Sequence, residues 1–239
     1  MFSRLVQAAE RLGRRLPSQC AICRSWQDGR VCSDCLQRHA PPRWRCNGCA
    51  APAPQGQPRC GRCVTHPPAF DHAVAVWDHA YPWHLLVERF KFHDALDLAD
   101  TLAQHLLAAV ERYDAPAAID CIVPVPLSAR RLAERGYNQA WELAWRLGVR
   151  LGCPARSDLV LRRRETPTQV GLDLAERQRN LRGAFTVPQP RGADLKGRRV
   201  AVVDDVMTTG ATISAVAKAL RHAGAQAVHA WVLTRTPSA

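Results

Sequence analysis

The chain has no stretch approaching the ~20 consecutive apolar residues that a membrane span needs. Its first 19 residues, MFSRLVQAAERLGRRLPSQ, lack the continuous apolar segment of a secretory signal. Together these absences predict a cytoplasmic protein. Aromatic residues are scarce at 6%, yet 47% of the 239 residues are hydrophobic, which excludes low-complexity disorder for most of the chain. Lysine is nearly missing: of 33 basic residues only Lys91, Lys196 and Lys218 are not arginine. No Gly-x-x-x-x-Gly-Lys string precedes any helix pattern, which excludes a Walker-type nucleotide loop.

Cysteine, by contrast, is abundant and clustered: eight of ten precede residue 64. In a reducing compartment, clustered cysteines bind metal more often than they pair as disulfides. The net charge of +12 is also uneven. Residues 1–69 hold 11 Arg against Glu10, Asp28 and Asp34, a net of +8, and residues 70–239 carry the other +4. Arginine excess suits phosphate recognition, because a guanidinium grips an anion with two bonds. A GC-rich genome, which favours Arg and Ala codons together, produces the same bias.

Residues 1–18 place Phe2, Leu5, Val6, Ala9, Leu12 and Leu16 at roughly helical spacing, with four arginines between them. This is either a short packed helix or a basic amphipathic helix. Residues 20–68 are rich in Cys, Pro, Gly and Arg without apolar period, so they need a staple to fold. From Phe70 the texture changes, and the domain boundary is expected near Pro67-Pro68, giving 1–68 and 69–239. The second region predicts strands at Ala73–Trp77, Ile119–Val123, Leu159–Leu161, Arg199–Val203 and Ala227–Leu233. Helices are expected at Pro82–Phe92, Ala95–Glu111, Asn138–Leu151 and Thr212–His222, the last closed by Gly224. This alternation argues an α/β domain with an open, mainly parallel sheet.

The clustered cysteines form four Cys-x-x-Cys pairs: Cys20/Cys23, Cys32/Cys35, Cys46/Cys49 and Cys60/Cys63. A two-residue spacer points both thiolates of a knuckle at one ion, and two knuckles complete the four-sulfur tetrahedron preferred by Zn²⁺. Eight ligands suffice for two structural zinc ions. The near-regular gaps favour sequential pairing, with interleaved pairing as the alternative. Cys121 and Cys153 read as ordinary thiols. Trp26 and Trp44 lie in this basic region, either filling a small zinc-ribbon core or stacking on bases.

The sharpest string is Val200-Ala-Val-Val-Asp204-Asp205-Val-Met-Thr208-Thr209-Gly210-Ala211-Thr212. A hydrophobic strand ends in two acids, and a small polar loop then opens a helix, the position where ligands bind in an open α/β sheet. The helix start offers N–H groups and its dipole to a phosphate. Thr208, Thr209 and Thr212 add hydroxyls, and Gly210 lets the backbone approach closely. Two carboxylates beside a phosphate would repel it unless they serve a sugar's cis diol or a hydrated Mg²⁺. After the strand at Ile119–Val123 comes Pro124-Val-Pro126-Leu-Ser128, followed by an Arg-rich stretch expected to be a loop. Arg130, Arg131 and Arg135 are its candidates to meet a pyrophosphate, and Asn138 is placed to cap the next helix. A third basic stretch, Arg162 to Arg164 with Thr168-Gln169, Arg177, Arg179 and Asn180, suits a mobile loop closing over an anion or a solvated face.

The 13-residue string resembles the PRPP-binding signature of type I phosphoribosyltransferases. That resemblance implies Asp204 and Asp205 on the ribose 2′- and 3′-hydroxyls, Thr208 to Thr212 around the 5′-phosphate, and Mg²⁺ bridging diol and pyrophosphate. The whole chain resembles the ComF/GntX family through the four Cys pairs, Phe90-Lys91-Phe92, Pro124-Val-Pro126, Arg135-Gly-Tyr-Asn-Gln139, Thr168-Gln169, Arg177-x-x-Asn180, Ala184-Phe185 and Val203–Thr212. The resemblance implies a type I phosphoribosyltransferase-like fold with helices on both faces of the sheet, preceded by a small double zinc-ribbon module. It also implies a PRPP-binding protein that assists natural competence and handles imported single-stranded DNA, with DNA-uptake proteins at the inner membrane as partners. The readings set beside this one are an active salvage phosphoribosyltransferase and a PRPP-sensing regulator. An active transferase needs a hood over the base, for which the Cys-rich module or residues 78–112 would have to serve.

Overall fold

The computed structural model describes residues 18–92, 95–113, 119–163, 183–189 and 191–237. The expected helix in the first 17 residues, and Arg164, Thr168-Gln169, Arg177, Arg179 and Asn180, lie outside them. By contacts the chain falls into two compact units, Met1–Pro42 and Arg43–Ala239.

The described part of the first unit is a two-residue hairpin and one helix. β1 (Ser18–Gln19) pairs antiparallel with β2 (Trp26–Gln27), and α1 (Ser33–His39) follows. Its buried centre is Cys20, Cys32 and Cys35 with Ile22 against them. Trp26 does not fill it, being 70% exposed. Sulfur, not aromatic surface, forms this core, as expected where a metal cross-link replaces a hydrophobic one.

The second unit begins with a cysteine-bearing loop, whose short helix α2 spans Gly61–Thr65. A four-stranded sheet follows in the order β3 (His72–Asp78), β8 (Ala227–Arg235), β7 (Arg199–Met207), β4 (Cys121–Pro124), and every pairing is parallel. Val, Ala, Ile and Trp dominate these strands and are buried on both sides, as a fully covered parallel sheet requires. Helices α3 (Trp83–Phe92) and α4 (Ala99–Tyr113) lie between β3 and β4, and α5 (Ala129–Arg135) and α6 (Gln139–Leu151) follow β4. A small hairpin of β5 (Leu161–Arg162) and β6 (Phe185–Thr186) precedes β7, and α7 (Ala211–His222) joins β7 to β8.

Alternation along the strands sorts the layers. Val200, Val202, Val228, Ala230 and Val232 share one core with Ile213, Val216, Ala217 and Leu220 of α7. The intervening Ala201, Val203, Trp231 and Leu233 face the other way, and all four are buried. On that side α4 packs on β3 and β8, and α6 packs on β4 and β7. Helices therefore cover both faces. Chain connections leave β4 and β7 toward opposite faces, which opens a crevice at their carboxyl ends.

The strands and long helices fall where the hydrophobic pattern placed them, with ends that coincide or shift by up to four residues. One expectation is corrected. The Arg-rich stretch after β4 is helix α5 and not a loop. Ser128 caps it by accepting from Arg131 N at 3.4 Å, and Gly136, at φ +74°, ends it in the left-handed region. Ala, Leu, Glu and Arg between these two signals are good helix formers.

Candidate functional site

At the carboxyl ends of β4 and β7 lies a cavity of about 240 Å³. Val125 to Leu127 form one wall, and Asp204, Asp205, Thr208 and Thr212 form another. Lys91, Arg131, Arg135 and Arg162 also line it, so four cations face two carboxylates. Such a balance suits an anion bearing a polar, diol-like group.

The acids differ. Asp205 is buried and ion-paired to Lys91, whose Nζ is 3.1 Å from Oδ1. Asp204 is half-buried by area yet densely surrounded, and its Oδ1 accepts from Asp205 N at 2.9 Å. Burial pushes the Asp204 pKa up from 3.8 to about 7; the charge of Asp205 adds to the rise and Lys91 opposes it. A carboxyl whose folded pKa is raised is stabilised neutral, so its ionisation costs stability. The stability advantage of Asp204→Asn over the wild type is therefore expected to grow as pH rises from about 4 to about 7, and then to level off. Chemical denaturation across that range measures it, and a pH-independent difference would contradict it.

The phosphate-type loop takes its shape from Gly210, which adopts φ +79° as N-cap of α7 and offers no side chain to the helix start. Thr209 Oγ1 instead accepts from Ala211 N at 3.3 Å. Thr208 and Thr212 line the acidic cavity, whereas Thr209 and Ala211 border a neighbouring cavity shared with Arg62 and Lys218.

Helix α5 divides the three candidate arginines. Arg131 and Arg135, one turn apart, line the cavity. Arg130 does not, and pairs with Glu134 at 2.6 Å in solvent. Asn138 caps α6 through Ala140 N at 2.9 Å and also donates to Val125 O at 3.1 Å, so the cap fixes the cavity wall. The sequence marks Lys91 only as part of the Phe90-Lys91-Phe92 string of the family resemblance, without a chemical role. Its available signal was its rarity, since lysine stands at only three positions in this arginine-rich chain.

The cysteines gather as Cys20, Cys23, Cys32, Cys35 and as Cys46, Cys49, Cys60, Cys63, with ligand atoms of each set within 4.8 Å of one another. Pairing of the knuckles is thus sequential. A tetrahedron with Zn–S of about 2.3 Å requires sulfurs about 3.8 Å apart. Cys20–Cys35 at 3.9 Å, Cys23–Cys32 at 3.6 Å and Cys49–Cys60 at 3.8 Å meet that requirement. Backbone N–H groups point at the sulfurs, from Cys35 to Cys32 at 3.4 Å and from Cys60 to Cys46 at 3.2 Å. Burial would raise the Cys46 pKa, but N–H groups of Cys60, Cys49 and Gly48 bring it down to about 7, favouring the thiolate that binds metal. Both clusters could hold a zinc ion.

The second cluster is built into the sheet unit. Arg235, at the end of β8 and 2% exposed, donates from Nε to Cys49 O at 2.9 Å and from Nη1 to Met207 O at 3.4 Å. Ala73 N donates to Asn47 O at 2.8 Å, and Arg62 Nη2 donates to Thr209 O at 2.9 Å. Four thiolates around Zn²⁺ would leave a net −2, and the buried Arg235 offsets part of it.

A parallel sheet carrying an acid pair and a threonine-rich helix start at its carboxyl edge defines a phosphoribosyltransferase-type protein. The model of the phosphoribosyl transferase domain matches residues 97–239, and the chain belongs to that family. Within it the chain groups with ComF/GntX proteins, which unite this domain with N-terminal four-cysteine clusters. It is 36% identical over 230 residues to DNA utilization protein YhgH of Escherichia coli K12, covering 92% of this chain and 98% of that one. Competence protein F of Haemophilus influenzae is 35% identical over 208 residues, covering 86% and 90%. Among solved structures, the Bacillus subtilis glutamine PRPP amidotransferase aligns with a TM-score of 0.40 and 19% identity over 61% of this chain and 30% of that one. Among the described residues no helix is long and apolar enough to cross a membrane.

Proposed function

We propose that this protein binds PRPP with Mg²⁺ in the crevice between β4 and β7 and assists the use of DNA taken up from outside the cell. Asp204 and Asp205 accept from the ribose hydroxyls, Thr208 to Thr212 surround the 5′-phosphate, and Arg131 and Arg135 face the pyrophosphate. Mg²⁺, when bound with PRPP beside Asp204 and Asp205, would screen the pyrophosphate charge. The observation that carries this reading is the convergence of two carboxylates, a helix start and four cations on one cavity.

Each four-cysteine cluster holds one structural zinc, in a cytoplasmic setting where thiols stay reduced. Functionally, residues 1–68 carry the metal module and residues 69–239 the sugar-phosphate pocket. The module meets single-stranded DNA through its arginines, since phosphate contacts supply most non-specific affinity. Trp26 and Trp44, 70% and 60% exposed, are available to stack on bases. The names of the bacterial relatives, DNA utilization and competence, point the same way.

Calorimetry with PRPP and Mg²⁺ tests the pocket; one site per chain is expected, and absence of binding would overturn the reading. Pyrophosphate release on adding a nucleobase would make the protein an active transferase instead. Transformation frequency in a deletion strain tests the cellular role, and normal transformation would remove it.

A further inference from the structure

Two strings far apart in sequence interlock beside the pocket. Phe90, Lys91 and Phe92 end helix α3, and each is held by a residue of Arg135–Gln139. Tyr137 donates its hydroxyl to Phe90 O, and their rings lie 6.3 Å apart. Gln139, 1% exposed, donates from Nε2 to Lys91 O at 3.3 Å. The Arg135 guanidinium sits 4.7 Å over the exposed Phe92 ring. The backbone of Lys91 is thereby fixed on both sides while its side chain reaches Asp205.

The choice of lysine is informative. Arginine fills 30 of the 33 basic positions, so lysine here departs from the habit of the chain. An arginine fork would grip a carboxylate bidentately and stay. A lysine is a compact charge on a flexible stem that can exchange one anion for another.

We propose that Lys91 is a pyrophosphate-binding residue held in reserve on Asp205, and that the Arg135–Gln139 string aims it. This rests on the PRPP pocket proposed above. Pyrophosphate oxygens entering the cavity would compete with Asp205 for the ammonium, and its flexible stem lets it exchange one anion for the other. Lys91 Nζ then moves to the pyrophosphate oxygens beside Arg131 and Arg135. No covalent bond changes; one charge-assisted contact replaces another.

The test compares three probes by calorimetry with Mg²⁺ present: PRPP, inorganic pyrophosphate and ribose 5-phosphate. Lys91→Met is expected to weaken PRPP and pyrophosphate by about tenfold to a hundredfold. Ribose 5-phosphate should change by less than about twofold, which also shows that the variant is folded. Lys91→Arg, whose fork would stay on Asp205, should lose most of the same pyrophosphate affinity, and full retention would overturn the exchange. Tyr137→Phe, which loosens the aim alone, should show a milder loss with the same probe pattern. Equal losses for all three probes would make Lys91 merely structural, and no loss would remove it from the site; either result overturns the proposal. If the wild type binds no PRPP, the pocket reading falls and Lys91 with it. If the wild type binds and Lys91→Met binds equally, Lys91 alone falls.

Discussion

Replacing Asp204 and Asp205 together by alanine is expected to abolish PRPP binding. Hydrogen bonds to charged groups contribute about 1.5–3 kcal/mol each, so losing both acceptors should weaken binding at least a hundredfold and up to about ten-thousandfold. The loss should be selective. Among the described residues the two acids are the only carboxylates lining the cavity, and four cations remain when they go. Inorganic pyrophosphate should therefore bind the double variant as well as the wild type or better. That contrast separates loss of the diol site from loss of the fold. Asp205 is buried against Lys91, so the isosteric Asp204→Asn with Asp205→Asn is the safer companion variant. In a deletion strain the double variant should leave transformation at the level of the deletion. Unchanged PRPP affinity in both double variants would refute the assignment.

Metal removal is expected to have the second large effect, and to act differently at the two clusters. Metal analysis of the intact protein should find two zinc ions per chain. Structural zinc contributes on the order of 10–16 kcal/mol of apparent folding energy in small domains. Cys46→Ser strikes the unit Arg43–Ala239 itself. Ala50 belongs to its main core, Arg235 holds Cys49 O, and Arg62 holds Thr209 O in the phosphate-type loop. This variant should lose one zinc, melt markedly lower and lose PRPP affinity. Cys20→Ser strikes the separate unit Met1–Pro42. It should also lose one zinc but keep PRPP affinity near that of the wild type. Equal PRPP affinity in the two variants would break the proposed link between the second cluster and the loop.

Much of this was legible in the residues because it depends on local spacing. Cys-x-x-Cys knuckles, the apolar runs of β7 and β8, and the Ser-to-Gly bracket of α5 are all short-range signals. A run of arginines resembles a solvated loop when burial is unknown, and this masks the bracket. Trp26 and Trp44 show the opposite difficulty: aromatic composition suggests a core, and only the fold reveals that sulfur fills that place. The split between Arg130 and its neighbours required the helical phase of α5. The Lys91 contact required two strings 45 residues apart to meet.

By itself the sequence determined the two sets of four cysteines, the order of the main strands and long helices, and the acid pair ahead of the threonine loop. Each is a pattern over a few neighbouring residues, and local chemistry reads it directly. Tertiary structure alone decided which arginines face the cavity, which lysine guards Asp205, and that the second cysteine cluster braces the sheet. Those are facts about elements meeting across the parallel sheet, where β7 lies between strands from distant parts of the chain. Hydrophobic burial selects that arrangement globally, and no short window of residues encodes it.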